Sequence, residues 1–500
     1  MFFLQWESIG YLCAMRPIFI CCCLLAVTFL KAQTSELWDL KQCIDYAVAH
    51  NISIKQADVS ARIAQLQADQ AKYNLLPNVS ANTGTGMRFG RSIDPTTNSF
   101  ATTQFLFQNF GVNVGMQVYN YGSLKNTEQA AIFNAKAALQ DVERAAYDIS
   151  MNVATFYLQI LAAREQTNIT KVQIGQSLAQ LDITRKRVEA GVIPELSLAE
   201  IEAQLAADSS NYFNALASEQ QNLLNMKGLL NLNPATPFNV VTPPVDKIPL
   251  ESFAELQPEL VYQIGLSNQP QQKANAYRLQ AAQKNVQVSK ALAYPTLTVG
   301  GNINTNFSNA VKYVSGFTFN GYNPVTGFDP IVAIGGTNYF VQNPNFKAIQ
   351  STRSFGQMWN GWGTQLDRNL GQNLVLNLSI PIFNNYQART SVKQSQFNVK
   401  QAELQKEASD LKLKQDIYLA YTNAVTSLQR FNASKKSVET AQKAYDFSLK
   451  RYEIGLLGSL DLITNQNSLL RAKLQLLSNQ FDYVFRMKLL ELYKGQGIKL

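Results

Sequence analysis

The chain has 500 residues, 46% of them hydrophobic and 16% charged, with a formal net charge of +9 at pH 7. That composition is too apolar for a disordered chain. Lys and Arg alternate with acids and Gln, as in Thr184-Arg185-Lys186-Arg187-Val188-Glu189, which describes a solvated helix face rather than a nucleic-acid surface.

The N-terminus reads as a secretory leader over residues 1–32, beginning at Met1 or Met15. Arg16 precedes an apolar run from Ile18 to Leu30, and Ala32 offers a cleavage site before Gln33. A run of about 13 apolar residues is too short to span a bilayer. Cys13, Cys21, Cys22 and Cys23 fall in this segment, and none follows the small residue that lipidation requires. Cys43 is left without a partner for an internal disulfide. No later stretch has the ~20 apolar residues of a membrane helix.

Residues 37–76 predict a helix that stops at Pro77, with His50 and Asn51 near its start. Asn78–Gly86 and Val112–Val118 alternate apolar with polar or small residues and predict strands, separated by an irregular stretch over Arg88–Gln104. No proline occurs between Pro95 and Pro194, so a helix of nearly 70 residues, about 100 Å long, can follow. Its apolar seam is Val153, Tyr157, Ile160, Ile174, Leu178, Leu181 and Val188; it reverses at Gly191 and returns as a second helix. Pro234, Pro237, Pro243, Pro244, Pro249 and Pro258 then mark a linker or small belt outside the helices, residues 232–260.

The pattern recurs. A helix over roughly 260–294, with Asn268 and Pro295, precedes strands at Leu297–Asn304 and Leu374–Ile380. Between them lies an irregular segment, 306–373, rich in Gly, Asn and aromatics, which predicts a long extracellular loop. No proline follows Pro381, and the second long helix shows Ile417, Tyr421, Ala424, Leu428, Phe431, Val438, Tyr445, Leu449 and Tyr452 before Gly455. Its return shows Leu470, Leu474, Leu477, Phe481 and Val484. Shifting residues 119–198 forward by 264 lays them on 383–462 without a gap: Tyr157 meets Tyr421, Arg187 meets Arg451, Gly191 meets Gly455 and Leu198 meets Leu462. Such self-similarity predicts an internal two-fold repeat, 33–231 and 261–500.

Little in the chain points to chemistry. One histidine, His50, and Cys43 leave no histidine triad, Cys/His dyad or His- or Cys-rich metal site after the leader. No phosphate loop or dinucleotide fingerprint occurs, so the expectation is a non-enzyme with no cofactor, no metal and no nucleic-acid partner. Four strands are too few to close a membrane barrel, and open edges in lipid are costly. Pooling them three ways yields twelve strands, hence a homotrimer.

The tips Arg187-Val188-Glu189-Ala190-Gly191 and Arg451-Tyr452-Glu453-Ile454-Gly455, followed by Ser197-Leu198 and Asp461-Leu462, and the Pro381-Ile382-Phe383-Asn384 helix entry resemble TolC-type outer-membrane factors over residues 37–493. The resemblance implies an α+β membrane protein: a long α-helical coiled-coil barrel in the periplasm and a transmembrane β-barrel shared between protomers, four strands per chain. It implies the exit duct of a tripartite efflux pump or type I secretion system, passive itself and driven by an inner-membrane pump of RND or ABC type through a periplasmic adaptor (membrane fusion protein). By the same resemblance, Arg187, Gly191, Val192, Ile193, Arg451, Gly455, Leu456 and Leu457 form adaptor-docking tips, and Asp461 lines the periplasmic aperture. Thr464 stands where the family often has a second acid. Gln117 replaces the first-copy proline, and Tyr386 occupies the position of Gly122. A periplasmic adaptor or a structural coiled-coil protein of the envelope is the alternative; an adaptor has one hairpin where this sequence predicts two. The cargo is not specified by the sequence.

Overall fold

In a computed structural model of the protein, residues 37–93, 98, 100–243, 248–351, 355–357 and 359–495 are described; the expected leader and its cysteines lie outside them. Two compact units emerge. One takes the chain up to Gln65, Ile132–Gln280 and Lys400 onward; the other takes Leu66–Ala131 and Ala281–Val399.

In chain order the elements are β1 (Leu37–Trp38), α1 (Leu40–His50), α2 (Ile52–Tyr73), β2 (Asn78–Ile93), β3 (Phe100–Tyr119), α3 (Ser123–Glu189) and α4 (Glu195–Leu229). Then follow β4 (Asn239–Val240), α5 (Pro258–Asn268), α6 (Pro270–Ala291), β5 (Thr296–Ser308), β6 (Tyr313–Tyr322), β7 (Ile331–Ile334) and β8 (Thr337–Phe340). Last come β9 (Pro344–Ser351), α7 (Trp362–Arg368), β10 (Gly371–Ser379), α8 (Gln387–Glu453) and α9 (Ser459–Tyr493). The proline-free stretches form α3 and α8, 67 residues each, about 100 Å long. Their return helices α4 and α9 are 35 residues each.

The first expected helix is two. Asp39 opens α1 with a capping box, accepting from Gln42 N, and Asn51 ends it in extended geometry, φ −63° and ψ 133°. Asn51 Oδ1 then accepts from Ser53 N at the start of α2. His50 therefore closes a helix rather than opening one; its Nδ1 lies 3.0 Å from Tyr46 O and its ring stacks on Tyr46. Gln269 makes the corresponding break between α5 and α6.

In the second unit β10-β5-β3-β2 form one antiparallel sheet. Register aligns Val79, Val114, Gly301 and Leu374 in one row and Ser80, Asn113, Asn302 and Asn373 in the next. Alternation thus makes one face aliphatic and the other polar or small. Over β10 the aliphatic face is open among the described residues: Leu374 is 81% exposed, Leu376 67%. Where the second half has Pro381, the first has a bulge at Gln117/Tyr119, which absorbs the register without proline.

Two stretches expected to be irregular are ordered. β2 and β3 run through most of 88–104. Within 306–373, β6 pairs with β9 and β7 with β8, the latter through Gly335-Gly336, both at positive φ. Two glycines in that conformation make a tight hairpin, a turn signal hidden by the surrounding asparagines and glycines.

The first unit's main core joins α1, the middle of α3, the end of α4 and α9: Cys43, Val153, Tyr157, Ile160, Met226 and Phe481 are buried together. The linker packs into this core. Phe238, Val240 and Ile248 are buried in it, because β4 pairs with β1 and Arg164 donates to Val240 O while Tyr157 donates to Val241 O. Further on, Lys488 holds Pro249 O, beside a buried Lys488–Glu491 pair.

Candidate functional site at the helical tips

Both long helices end alike. Val192 N donates to Arg187 O and Gly191 N to Val188 O; Leu456 N donates to Arg451 O and Gly455 N to Tyr452 O. This is the Schellman reversal, which needs a left-handed residue after the helix. Gly191 and Gly455 supply it at φ 71° and 77°, where a side chain is strained.

The expected apolar pairs do not both face outward. Val192 and Leu456 are 64% and 65% exposed, whereas Ile193 and Leu457 are half-buried, Leu457 against Tyr452 and Leu462. The following helices add exposed Leu196 and Leu460, and Ile454 joins them. Leu196 and Leu460 stand 264 residues apart, as Val192 and Leu456 do, so the register contained this signal.

The two arginines have different surroundings. Arg451 is exposed. Arg187 is half-buried, donates to Tyr452 O at 2.8 Å and lies over the Tyr452 ring at 5.3 Å. Thr184 Oγ1 meets Tyr452 OH at 2.9 Å. Together these contacts latch the end of α3 to the end of α8. Asp461 is exposed in the first turn of α9, where a carboxylate suits the helix dipole. Thr464, also exposed, turns its hydroxyl back to Leu460 O.

Above the latch the expected seam is revised. Leu178 is half exposed and Ile174, Leu181 and Val188 are only partly buried; Thr170, Gln173, Ser177, Gln180 and Thr184 face inward instead. Buried Asp208 of α4 accepts from Ser177 Oγ at 2.6 Å and from Gln204 at 2.8 Å, and Gln466 of α9 donates to Ser177. Polar residues spaced three and four apart on α3 carried that information; weighting only apolar residues missed it.

The described residues contain no group of three His, Cys, Asp or Glu side chains placed to hold a metal. Burial pushes the Cys43 thiol up to about 12, so it is no nucleophile at neutral pH. Among the described residues, no helix is long and apolar enough to cross a membrane. What the geometry shows is a latch between two helix ends flanked by exposed apolar side chains.

A family model described as outer membrane efflux protein matches residues 43–232 and 348–491. The chain is 22% identical over 452 residues to toxin and drug export protein A of Aggregatibacter actinomycetemcomitans, covering 89% of this chain and 83% of that protein. It is 23% identical over 460 residues to outer membrane protein TolC of Escherichia coli K12, covering 90% and 80%. Its fold matches the solved structure of CusC with a TM-score of 0.70 at 15% identity, over 93% of this chain and 94% of that one.

Proposed function

The chain belongs to the outer membrane efflux protein family, outer-membrane channels rather than enzymes, and on that premise we propose that three copies form the exit duct of a tripartite efflux pump or type I secretion system. Each copy contributes four strands to a twelve-stranded transmembrane barrel and two helical hairpins to a periplasmic tunnel. One observation carries this reading: a four-stranded sheet whose aliphatic face is open beyond α7 and whose edge strands, β2 and β10, have no outer partner strand among the described residues. Lipid satisfies the face; only neighbouring copies satisfy the edges.

The helices support the same assembly. Ile52, Val59, Leu66 and Tyr73 on α2, and Phe397, Leu404, Leu411 and Tyr418 on α8, recur every seven residues and are exposed. Such single-file seams pack as knobs into holes against a neighbouring helix. The constant offset of 264 between α3 and α8, and between α4 and α9, supports an internal duplication: 33–231 and 261–500 behind a 1–32 leader, joined by 232–260.

At the tips, Val192, Leu196, Ile454, Leu456 and Leu460 offer the apolar knobs to a periplasmic adaptor, with Gly191, Ile193, Gly455 and Leu457 shaping the turns and Arg451 exposed beside them. The Arg187–Tyr452 latch holds the tips together, and three copies of Asp461, with Thr464 a turn further, line the aperture and favour cations. Cargo moves passively, driven by an inner-membrane pump of RND or ABC type.

The test is a tip variant, Val192→Asp with Leu456→Asp. Adaptor-dependent export should be lost while the heat-modifiable trimer persists in detergent. Unchanged export rejects docking; a monomer soluble without detergent rejects the duct. Asp461→Ala should weaken cation block of single channels, and unchanged block rejects the aperture role.

A further inference from the structure

The short helix α7 lies on the aliphatic face of the sheet, not on its polar face. Gln108 and Phe110 share a face with Val112 and Val114, and register places Phe307 and Thr305 beside them, on the face that carries Ile303. α7 and Trp359, just ahead of it, contact those side chains. Trp362 Nε1 donates to Gln108 Oε1 at 2.8 Å, and its ring meets Phe110 edge-on at 6.2 Å. Trp359 stacks on Phe307 at 5.6 Å and 14° between planes, leaving Phe307 1% exposed. Thr305 Oγ1 donates to Leu366 O at 2.5 Å, and Gln365 both accepts from Ser308 N and donates to Ser308 O. α7 is therefore bonded in place, yet Trp359 and Trp362 keep 47% and 39% of their surfaces free.

We propose that Trp359 and Trp362, held by α7 on the outside of the barrel wall, anchor the protein in the acyl–headgroup boundary of the leaflet farthest from the helices. This rests on the barrel reading: if the aliphatic face meets lipid, whatever lies on it meets lipid too. Indole suits that boundary, because its ring is apolar while its N–H needs a polar partner, here Gln108.

The hairpin that leaves the sheet at Ser308 has matching chemistry. Asp329 and Lys347 are the only charged residues between Tyr313 and Ser351. Pairing of Phe319 with Phe346 and of Phe317 with Ala348 puts the aromatics on one face, with Thr318 and Lys347 on the other. Phe317, Phe319 and Phe346 are each more than half exposed. A two-stranded pair with such a face is marginal in water, and its outer edges, which meet no further strand among the described residues, are costly in hydrocarbon. The boundary between the two meets both constraints. α7 and this hairpin thus form a lipid-seated collar around the barrel mouth.

The chain supplies its own reporters, since its four tryptophans are Trp6, Trp38, Trp359 and Trp362. The Trp6→Phe/Trp38→Phe variant, reconstituted as full-length protein in phosphatidylcholine vesicles brominated near the headgroup end of the chains, should lose most of its emission. The Trp359→Phe/Trp362→Phe variant, which keeps Trp38, should lose little; this second measurement decides the matter if the first variant folds poorly. Unquenched emission from Trp359 and Trp362 overturns the proposal. Quenching by iodide instead would show water, and resistance to both quenchers would show a neighbouring copy over the collar. Leu376→Trp in a background free of other tryptophans separates the two readings. Deeply placed bromines should quench it if the sheet is in lipid, whatever the collar does, and failure there rejects the barrel itself.

Discussion

Within the single helix α3, two stretches one after the other bury opposite chemistry. From Ile149 to Leu161 the inward residues are Ile149, Val153, Ala154, Tyr157, Leu158, Ile160 and Leu161, packed with Met226 and Phe481. From Thr170 to Thr184 they are Thr170, Gln173, Ser177, Gln180 and Thr184, bonded in part to Asp208 and Tyr452. Apolar burial is worth roughly 25 cal/mol per Å² and water cannot replace it. A neutral hydrogen bond nets only about 1 kcal/mol, because water offers the same partner. The first stretch is therefore a fixed scaffold, whereas the second can exchange its partners for solvent at small cost. In the duct proposed above, that division would leave the tips free to part while the body stays stiff.

The largest effect should come from the stiff region. Ile160→Ala should cost about 2–5 kcal/mol, read as a lower urea midpoint; a comparable loss from Ser177→Ala would erase the distinction. Cys43 provides a second probe of the same core, since it is wholly buried and its thiol is pushed up to about 12 by burial, with Asp39 adding to it. Alkylation should follow global unfolding only. Because the folded value is raised, the thiol's contribution to stability is complete below its ordinary 9.0 and is lost as pH rises toward about 12. Steady labelling of native protein at neutral pH would place Cys43 outside the core.

Smaller effects belong to the soft region. Arg187→Ala removes a charge-assisted bond worth about 1.5–3 kcal/mol locally, so the open population of single channels should rise on the order of tenfold or more while the urea midpoint barely moves. A shift of the midpoint with unchanged conductance would make Arg187 a scaffold residue. A change of similar size, about 1–3 kcal/mol, should come from Asp208→Asn, which leaves donors in the buried row without their acceptor. It should appear as faster hydrogen exchange confined to residues 170–184; uniform acceleration along α3 would deny that the helix has two regions.

The tips show where reading the sequence worked and where it stopped. Gly191 and Gly455 were legible because a helix reversal is a local backbone requirement that glycine meets at positive φ. Arg187 and Arg451, equivalent by register, were not distinguishable: Tyr452 stands beside one and solvent beside the other, and no local rule encodes a neighbour from 265 positions away. Leu178 misled for a related reason. An apolar residue at helical spacing signals a face but not which face turns inward, and on α3 the polar row won that place.

Taken alone, the amino-acid order determined the lengths of the rods, the alternation of the strands, the two reversals and the scarcity of histidine and cysteine. Each of these follows from proline and glycine placement, residue period or plain inventory, and needs no distant contact. The folded chain alone decided that the linker packs into the core, that a polar seam runs toward the tips, that one arginine of two becomes a latch, and that α7 lies on the aliphatic face of the sheet. Those outcomes depend on which surfaces meet, and burial and hydrogen bonding are settled between segments far apart in the chain.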